Sequence, residues 1–237
     1  MTAVLEARDL GRTYLGGDGS PIAVLHGLDV TVVAGEFVAI VGASGAGKST
    51  LLHLLGALDA PTAGVVLLEG REIGSLTPDE KARIRNQRIG FVFQFHHLLR
   101  DFSALENVMM PLAIAGVGES DARDRAAEAL SRLGLGHRLG HYPGQLSGGE
   151  QQRAAVARAV VTHPVVVLAD EPSGNLDPSN ARVLHEVFSV LRDQFNTALV
   201  VATHNGDLAA QADRVLRLEG GRLTPVARSD AAEAAVR

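Results

Sequence analysis

The sequence predicts an α/β fold with a largely parallel core sheet, and three observations carry that expectation. Short, near-continuously apolar runs alternate with longer amphipathic stretches, the rhythm of strand-helix-strand crossovers. Phe37-Val38-Ala39-Ile40-Val41, Val165-Val166-Val167-Leu168-Ala169 and Ala198-Leu199-Val200-Val201-Ala202 contain no polar residue, as suits strands buried on both faces. A glycine-rich loop follows directly on the first of them. With 237 residues, 46% hydrophobic and 21% charged, the chain can bury a sizeable core as one large domain or two small ones. A net charge of −5 disfavours general polyanion binding. The absence of cysteine excludes disulfides, cysteine nucleophiles, zinc-thiolate sites and iron-sulfur clusters.

In chain order, Met1 to Asp9 places charges where a signal peptide needs an unbroken apolar core, and no later run has the length of a membrane span. Val24 to Val32 reads as part of an antiparallel β region, with a loop over Gly16 to Pro21. After Phe37–Val41 comes a helical run from Leu51 to Leu58. Thr77-Pro78-Asp79-Glu80 combines a cap, an early proline and a glutamate three residues after the cap, so a helix begins there; it carries Lys81, Arg83, Arg85 and Arg88, and the face with Lys81, Arg85 and Arg88 reads as solvated, with contact to anionic lipid headgroups the alternative. Phe91-Val92-Phe93 is a strand. From Ala104 to Leu133 the pattern is helical, in two stretches near Leu105–Ala115 and Asp121–Leu133, predicting a helical subdomain inserted into the core. Pro178 opens a helix whose stripe is Val183, Leu184, Val187, Phe188 and Leu191. Ala227 to Arg237 is small and polar, a frayed tail or an extra turn of helix. One domain is expected, with residues 1–94 and 164–226 as core, 95–163 as helical subdomain and 227–237 as tail.

Chemistry concentrates at three places. Gly42-Ala43-Ser44-Gly45-Ala46-Gly47-Lys48-Ser49-Thr50 satisfies G-x-x-x-x-G-K-[ST] between a strand and a helix, which makes the fold a P-loop NTPase. The glycines let backbone N–H groups turn toward phosphate oxygens, Lys48 reaches the β- and γ-phosphates of ATP, and the Ser49 hydroxyl ligates Mg²⁺. At the carboxyl end of the strand Val165–Ala169, Asp170 and Glu171 face the same nucleotide. Asp170 holds Mg²⁺, through a water, and Glu171 polarises the attacking water. Ser147-Gly148-Gly149 then forms a second glycine-backed helix N-terminus suited to an anion. Either both cradles close on one ATP within the subunit, or each subunit offers its second cradle to a partner's ATP. His96-His97 and the pair His137 and His141 lack a third ligand at metal-binding spacing.

The glycine loop, Leu146 to Gln152 and Asp170-Glu171, in this order, resemble the ATP-binding subunit of ABC transporters over nearly the whole chain. The resemblance implies that Gln94 is the glutamine joining the Mg²⁺ and water shell to a membrane partner. It implies that Ser173-Gly174-Asn175-Leu176-Asp177 is the D-loop, that His204 is the switch histidine at the γ-phosphate, and that Tyr14 stacks on adenine. It further implies a homodimer closed on ATP. A single glycine loop and the lack of a long heptad insertion argue against an ABC ATPase that works on DNA or ribosomes, so no nucleic-acid partner is expected. The run Gln94-Phe95-His96-His97-Leu98-Leu99, with Asp101 to Val108, Pro111-Leu112 and Leu51 to Gly56, resembles the ATPases of bacterial lipoprotein-releasing complexes. That implies two transmembrane permease subunits docking near Gln94 to Pro111, and a peripheral position on the cytoplasmic face of the inner membrane. ATPases of macrolide or peptide efflux and of cell-division transporters are the alternative. Asn205 stands where that family has aspartate, and Ser173 where threonine is common.

Overall fold

A computed structural model describes residues 3–174, 176–227 and 230–236. Among these residues ten strands, β1 (Ala3–Leu15), β2 (Pro21–Val33), β3 (Phe37–Val41), β4 (Ala63–Leu68), β5 (Arg71–Glu72), β6 (Ile89–Val92), β7 (Val166–Asp170), β8 (Ala198–Ala202), β9 (Arg214–Glu219) and β10 (Arg222–Val226), form two sheets. One is antiparallel, in the order β2-β1-β4-β5; the other runs β10-β9-β3-β8-β7-β6 and is parallel except for the β9-β10 hairpin. Joining them are the α-helices α1 (Lys48–Leu55), α2 (Pro78–Gln87), α3 (Ala104–Ile114), α4 (Glu119–Arg132), α5 (Gly148–Val160), α6 (Pro178–Phe195), α7 (Gly206–Ala210) and α8 (Ala231–Val236).

The three apolar runs are the central strands, and their alternation divides the core in two. Val38, Ile40, Val166, Leu168, Ala198 and Val200 point to the side of α1 and the antiparallel sheet. Phe37, Ala39, Val41, Val167, Ala169, Leu199 and Val201 point to the side of α6, α7 and α8. A strand buried on both faces has no polar side to show, which is why its sequence is apolar throughout. A third cluster fills the helical part: Ala104, Leu105, Val108 and Leu112 of α3, Ala122, Ala126 and Leu130 of α4, and Ala154 and Ala157 of α5. Their three- and four-residue spacing puts each set on one helical stripe.

The helix starts follow the caps. Thr77, Ser103 and Ser147 each close a capping box with a glutamate three residues on, which satisfies two orphan amides at once. Several expectations shift. The strand before Gln94 is Ile89–Val92, so Phe93 and Gln94 lie beyond it. Helix α1 stops at Leu55: Gly56 is its C-cap and Ala57 turns left-handed at φ +54°, and Gly56 packs against Phe91, where a Cβ would lie 2.4 Å from the ring. Val183 leaves the buried stripe and is 39% exposed, while Leu184, Phe188 and Leu191 stay buried. The basic face of α2 is not free in solvent: Arg85 donates to Ala57 O at 3.0 Å, Lys81 to Gly74 O at 3.0 Å, and Arg88, just past the helix, pairs with Glu69. At the C-terminus α8 buries Ala231, Ala234 and Ala235 against the α7 side of the core. Positions 228, 229 and 237 of the expected tail lie outside the described residues.

Candidate active site

The glycine loop leaves β3 at Gly42 and enters α1 at Lys48. Gly42 and Gly47 have φ of +150° and +104°, where a side chain is strained. Packing excludes one as well: a Cβ on Gly42 would lie 2.4 Å from Leu218 O, and on Gly47 2.9 Å from Val24. Ala43, Ser44 and Gly45 form the exposed rim, followed by half-buried Ala46 and then by Ser49 and Thr50 on the first turn of α1. Lys48 curls back over the loop, donating to Gly42 O at 2.7 Å and to Ala43 O at 3.2 Å. These contacts fit a phosphate cradle. The amide-rich turn sits at a helix N-terminus, and its lysine is held by carbonyls it can exchange for phosphate oxygens.

Glu171 follows directly on β7 with φ +45°, a left-handed turn costly for a residue with a side chain. The turn separates Glu171 from Asp170, which ends the strand. One Glu171 carboxylate oxygen accepts from the His204 backbone N–H at 3.1 Å and lies 2.8 Å from His204 Nδ1; the other is 4.0 Å from Lys48 Nζ. The fold thus brings Lys48, Glu171 and His204 from three adjacent central strands to one carboxyl edge. Parallel strands present their ligand-facing ends together there. Asn205 caps α7 by accepting from Leu208 N at 3.0 Å, a task for which asparagine equals aspartate. Gln94 lies beside Gly174: a Cβ on that glycine would be 3.3 Å from the glutamine Nε2. Asn175, within the expected D-loop, lies outside the described residues. Ser49, Asp170 and Gln94 offer oxygen donors of the kind Mg²⁺ takes together with phosphates and waters.

Tyr14 is anchored rather than loose. Its hydroxyl donates to Asp59 at 2.9 Å, and the Arg12 guanidinium stacks 4.3 Å from the ring centroid. Arg12 also pairs with Asp59 at 2.8 Å. Ser147 caps α5: its hydroxyl accepts from Glu150 N at 3.3 Å, and Glu150 accepts from Ser147 N at 2.8 Å and Arg138 Nε at 2.9 Å. The Ser147 amide is the main reason the Glu150 carboxyl falls to a pKa of about 2, with Arg138 adding to it. The cap occupies the third helical amide and leaves that of Gly148, an exposed residue, to other partners.

The loop after Gln94 is tied down by Arg158, which no motif contains, and by Gln152 and Asn107, which lie within motif runs but had no role of their own in the sequence. Arg158 of α5 donates to His96 O at 2.9 Å and His97 O at 2.8 Å, and Gln152 to Phe93 O at 3.4 Å. The buried Asn107 side chain accepts from Leu99 N at 2.8 Å and donates to Leu99 O, Phe102 O and Ser103 O. Leu98 packs onto the helical cluster, whereas Phe95 is 64% and Leu99 42% exposed. For Asn107 and Gln152 the sequence signal is a polar side chain set among the buried apolar positions of α3 and α5.

A nucleotide-binding cassette is what this combination defines: a P-loop, a carboxylate-histidine pair and a capped second helix on a two-sheet frame. The chain belongs to the ABC transporter family, whose model matches residues 25–174. Among its relatives is "Lipoprotein-releasing system ATP-binding protein LolD" of Xanthomonas campestris pv. campestris (strain 8004), 52% identical over 227 residues, 96% of this chain and 95% of that one. The LolD protein of Geobacter metallireducens is 52% identical over 223 residues, 94% of this chain and 99% of that one. A solved structure with the same fold is the dimeric post-hydrolysis state of the ATP-binding cassette MJ0796 bound to ADP and Pi. It has a TM-score of 0.86 and 36% identity, covering 92% of this chain and 96% of that one.

Proposed function

We propose that this protein is the ATP-hydrolysing subunit of a complex that releases lipoproteins from the bacterial inner membrane toward the outer membrane. The observation that carries the cargo class is the 52% identity to LolD proteins along 96% of the chain. The Lys48-Glu171-His204 cluster supports hydrolysis. In this reading the loop Gly42–Thr50 takes the phosphates and Tyr14 the adenine. Lys48 leaves the carbonyls of Gly42 and Ala43 for the β- and γ-phosphates. Ser49, Gln94 and Asp170, the last through a water, hold Mg²⁺, which neutralises charge building on the transferred phosphoryl group. Glu171 orients and deprotonates the attacking water, and His204 fixes that carboxylate and contacts the γ-phosphate. Ser147, Gly148 and Gly149 close on the ATP of a second copy, so the working form is a homodimer.

Two transmembrane permease subunits dock on the surface near Gln94 to Pro111, where Phe95, Leu99 and Phe102 present apolar side chains to solvent; exposed apolar residues on a loop suit a partner surface. No helix among the described residues is long and apolar enough to cross a membrane, and in this reading attachment to the cytoplasmic face comes through those partners. Residues 1–94 and 164–226 act as the catalytic core and 95–163 as the helical part, in one ATPase domain. The test is purification of the tagged protein from its native membrane in mild detergent. Permeases that bind lipoprotein should copurify, and ATP should drive lipoprotein release from the reconstituted complex. Recovery of drug-efflux or cell-division permeases instead would refute the cargo assignment.

A further inference from the structure

We propose that Asn180 is a positioning residue that clasps the N-terminus of α5 to the start of α6, holding Ser147-Gly148-Gly149 at a set distance from Asp177 within one subunit. Arg153, in the second turn of α5, donates from its guanidinium to Asn180 Oδ1 at 3.0 Å. Asn180 Nδ2 donates to Asp177 Oδ2 at 2.6 Å, and Asp177 Oδ1 accepts the amides of Ser179 at 2.9 Å and Asn180 at 3.1 Å. The one side-chain amide therefore joins a cation on α5 to the carboxylate that caps α6.

The same amide explains a glycine. Gly149 lies inside α5 and its φ is not positive, so backbone conformation does not call for glycine, and alanine would favour the helix. A Cβ there would stand 2.3 Å from Asn180 Oδ1 and 2.9 Å from Nδ2. The absence of a side chain at 149 is what lets the two helix starts touch. The consequence for catalysis rests on the reading above that Ser147–Gly149 closes on a partner's ATP: the second cradle and the Asp177 segment then approach that partner as one rigid edge.

The test uses Arg153→Ala, Asn180→Ala and their combination in a Glu171→Gln background, with ATP-driven dimerisation measured by light scattering. Each change should weaken dimerisation about tenfold, because an edge loosened in the monomer must be ordered again when it closes on the partner. The combination should be no worse than the weaker single, since both remove one link. ATP affinity of the monomer should stay within about twofold, because the glycine loop is untouched, and Arg153→Lys should retain most dimerisation. Gly149→Ala should lower the melting temperature of the nucleotide-free monomer, a loss relieved in part by adding Asn180→Ala. Amide exchange at residues 148–151 in the nucleotide-free monomer reads the clasp without any dimer and should quicken in Asn180→Ala. Additive losses, no relief of Gly149→Ala, or unchanged exchange would overturn the proposal. Faster exchange with unaltered dimerisation would leave the clasp standing and remove the shared-site reading instead.

Discussion

The Glu171 carboxylate meets two residues: the His204 backbone N–H and ring lie on one oxygen, and Lys48 Nζ stands 4.0 Å from the other. Replacing Glu171 with glutamine keeps the shape and removes the base proposed above. Glu171→Gln should bind ATP, lose at least about 100-fold in turnover, and accumulate as an ATP-held dimer. A steady-state ATPase assay and gel filtration with ATP check this; turnover within about threefold of wild type would remove the base assignment. Glu150 makes a different, structural prediction. Its pKa is lowered from 4.5 to about 2, chiefly by the Ser147 amide, so its contribution is complete above the unfolded value and is lost as pH falls from about 4.5 to about 2. Urea midpoints measured from pH 6 down to pH 3 should therefore fall less steeply for Glu150→Gln than for wild type.

Among the elements, the loop after Gln94 shows one sequence run divided between two jobs. Leu98 points into the helical cluster while Phe95 and Leu99 point out, and Asn107 and Arg158 supply the backbone hydrogen bonds that hold this arrangement. Phe95→Ala and Leu99→Ala should leave the melting temperature and basal ATPase of the isolated subunit unchanged and weaken assembly with the membrane subunits. Leu98→Ala should instead lower the melting temperature by several degrees, as truncation of a packed leucine costs about 2 to 5 kcal/mol at full burial. Asn107→Ala takes the side-chain partner from Leu99 N and Phe102 O, at about 1 to 3 kcal/mol for each buried group left without one, and should destabilise the subunit as well. Differential scanning fluorimetry alongside copurification separates the outcomes; a Phe95→Ala protein that melts early would withdraw the docking assignment.

For the whole molecule, the question is whether one subunit completes its own site. Lys48 and Ser147 belong to different helices, α1 and α5, that open from different layers of the fold. If the site is shared, mixing Lys48→Ala subunits with subunits altered at Ser147 should restore part of the ATPase activity, because one of the two composite sites in the mixed dimer then has both parts intact. Activity titrated against mixing ratio measures this. No recovery at any ratio would count against the shared site or require both sites to fire together.

Much of this protein was legible in sequence because its signals are local. Apolar runs specify the central strands, capping boxes mark where α2, α3 and α5 begin, and the glycine loop encodes its own turn through positions that tolerate no Cβ. Asp170 and Glu171 could be placed at a strand end facing the glycine loop because parallel strands finish on one edge, whereas His204 took its role only from the family resemblance. What depends on residues far apart in the chain was not legible: the partners of the basic residues around α2, the inward turn of Leu98 beside the outward turn of Phe95, and the Arg153-Asn180-Asp177 link. Each is set by which segments the tertiary fold brings side by side, and a hydrogen bond between residues 27 positions apart leaves no periodicity in either segment. Gly149 joins both cases: its identity is written in the sequence, and the side chain that a Cβ there would strike belongs to another helix.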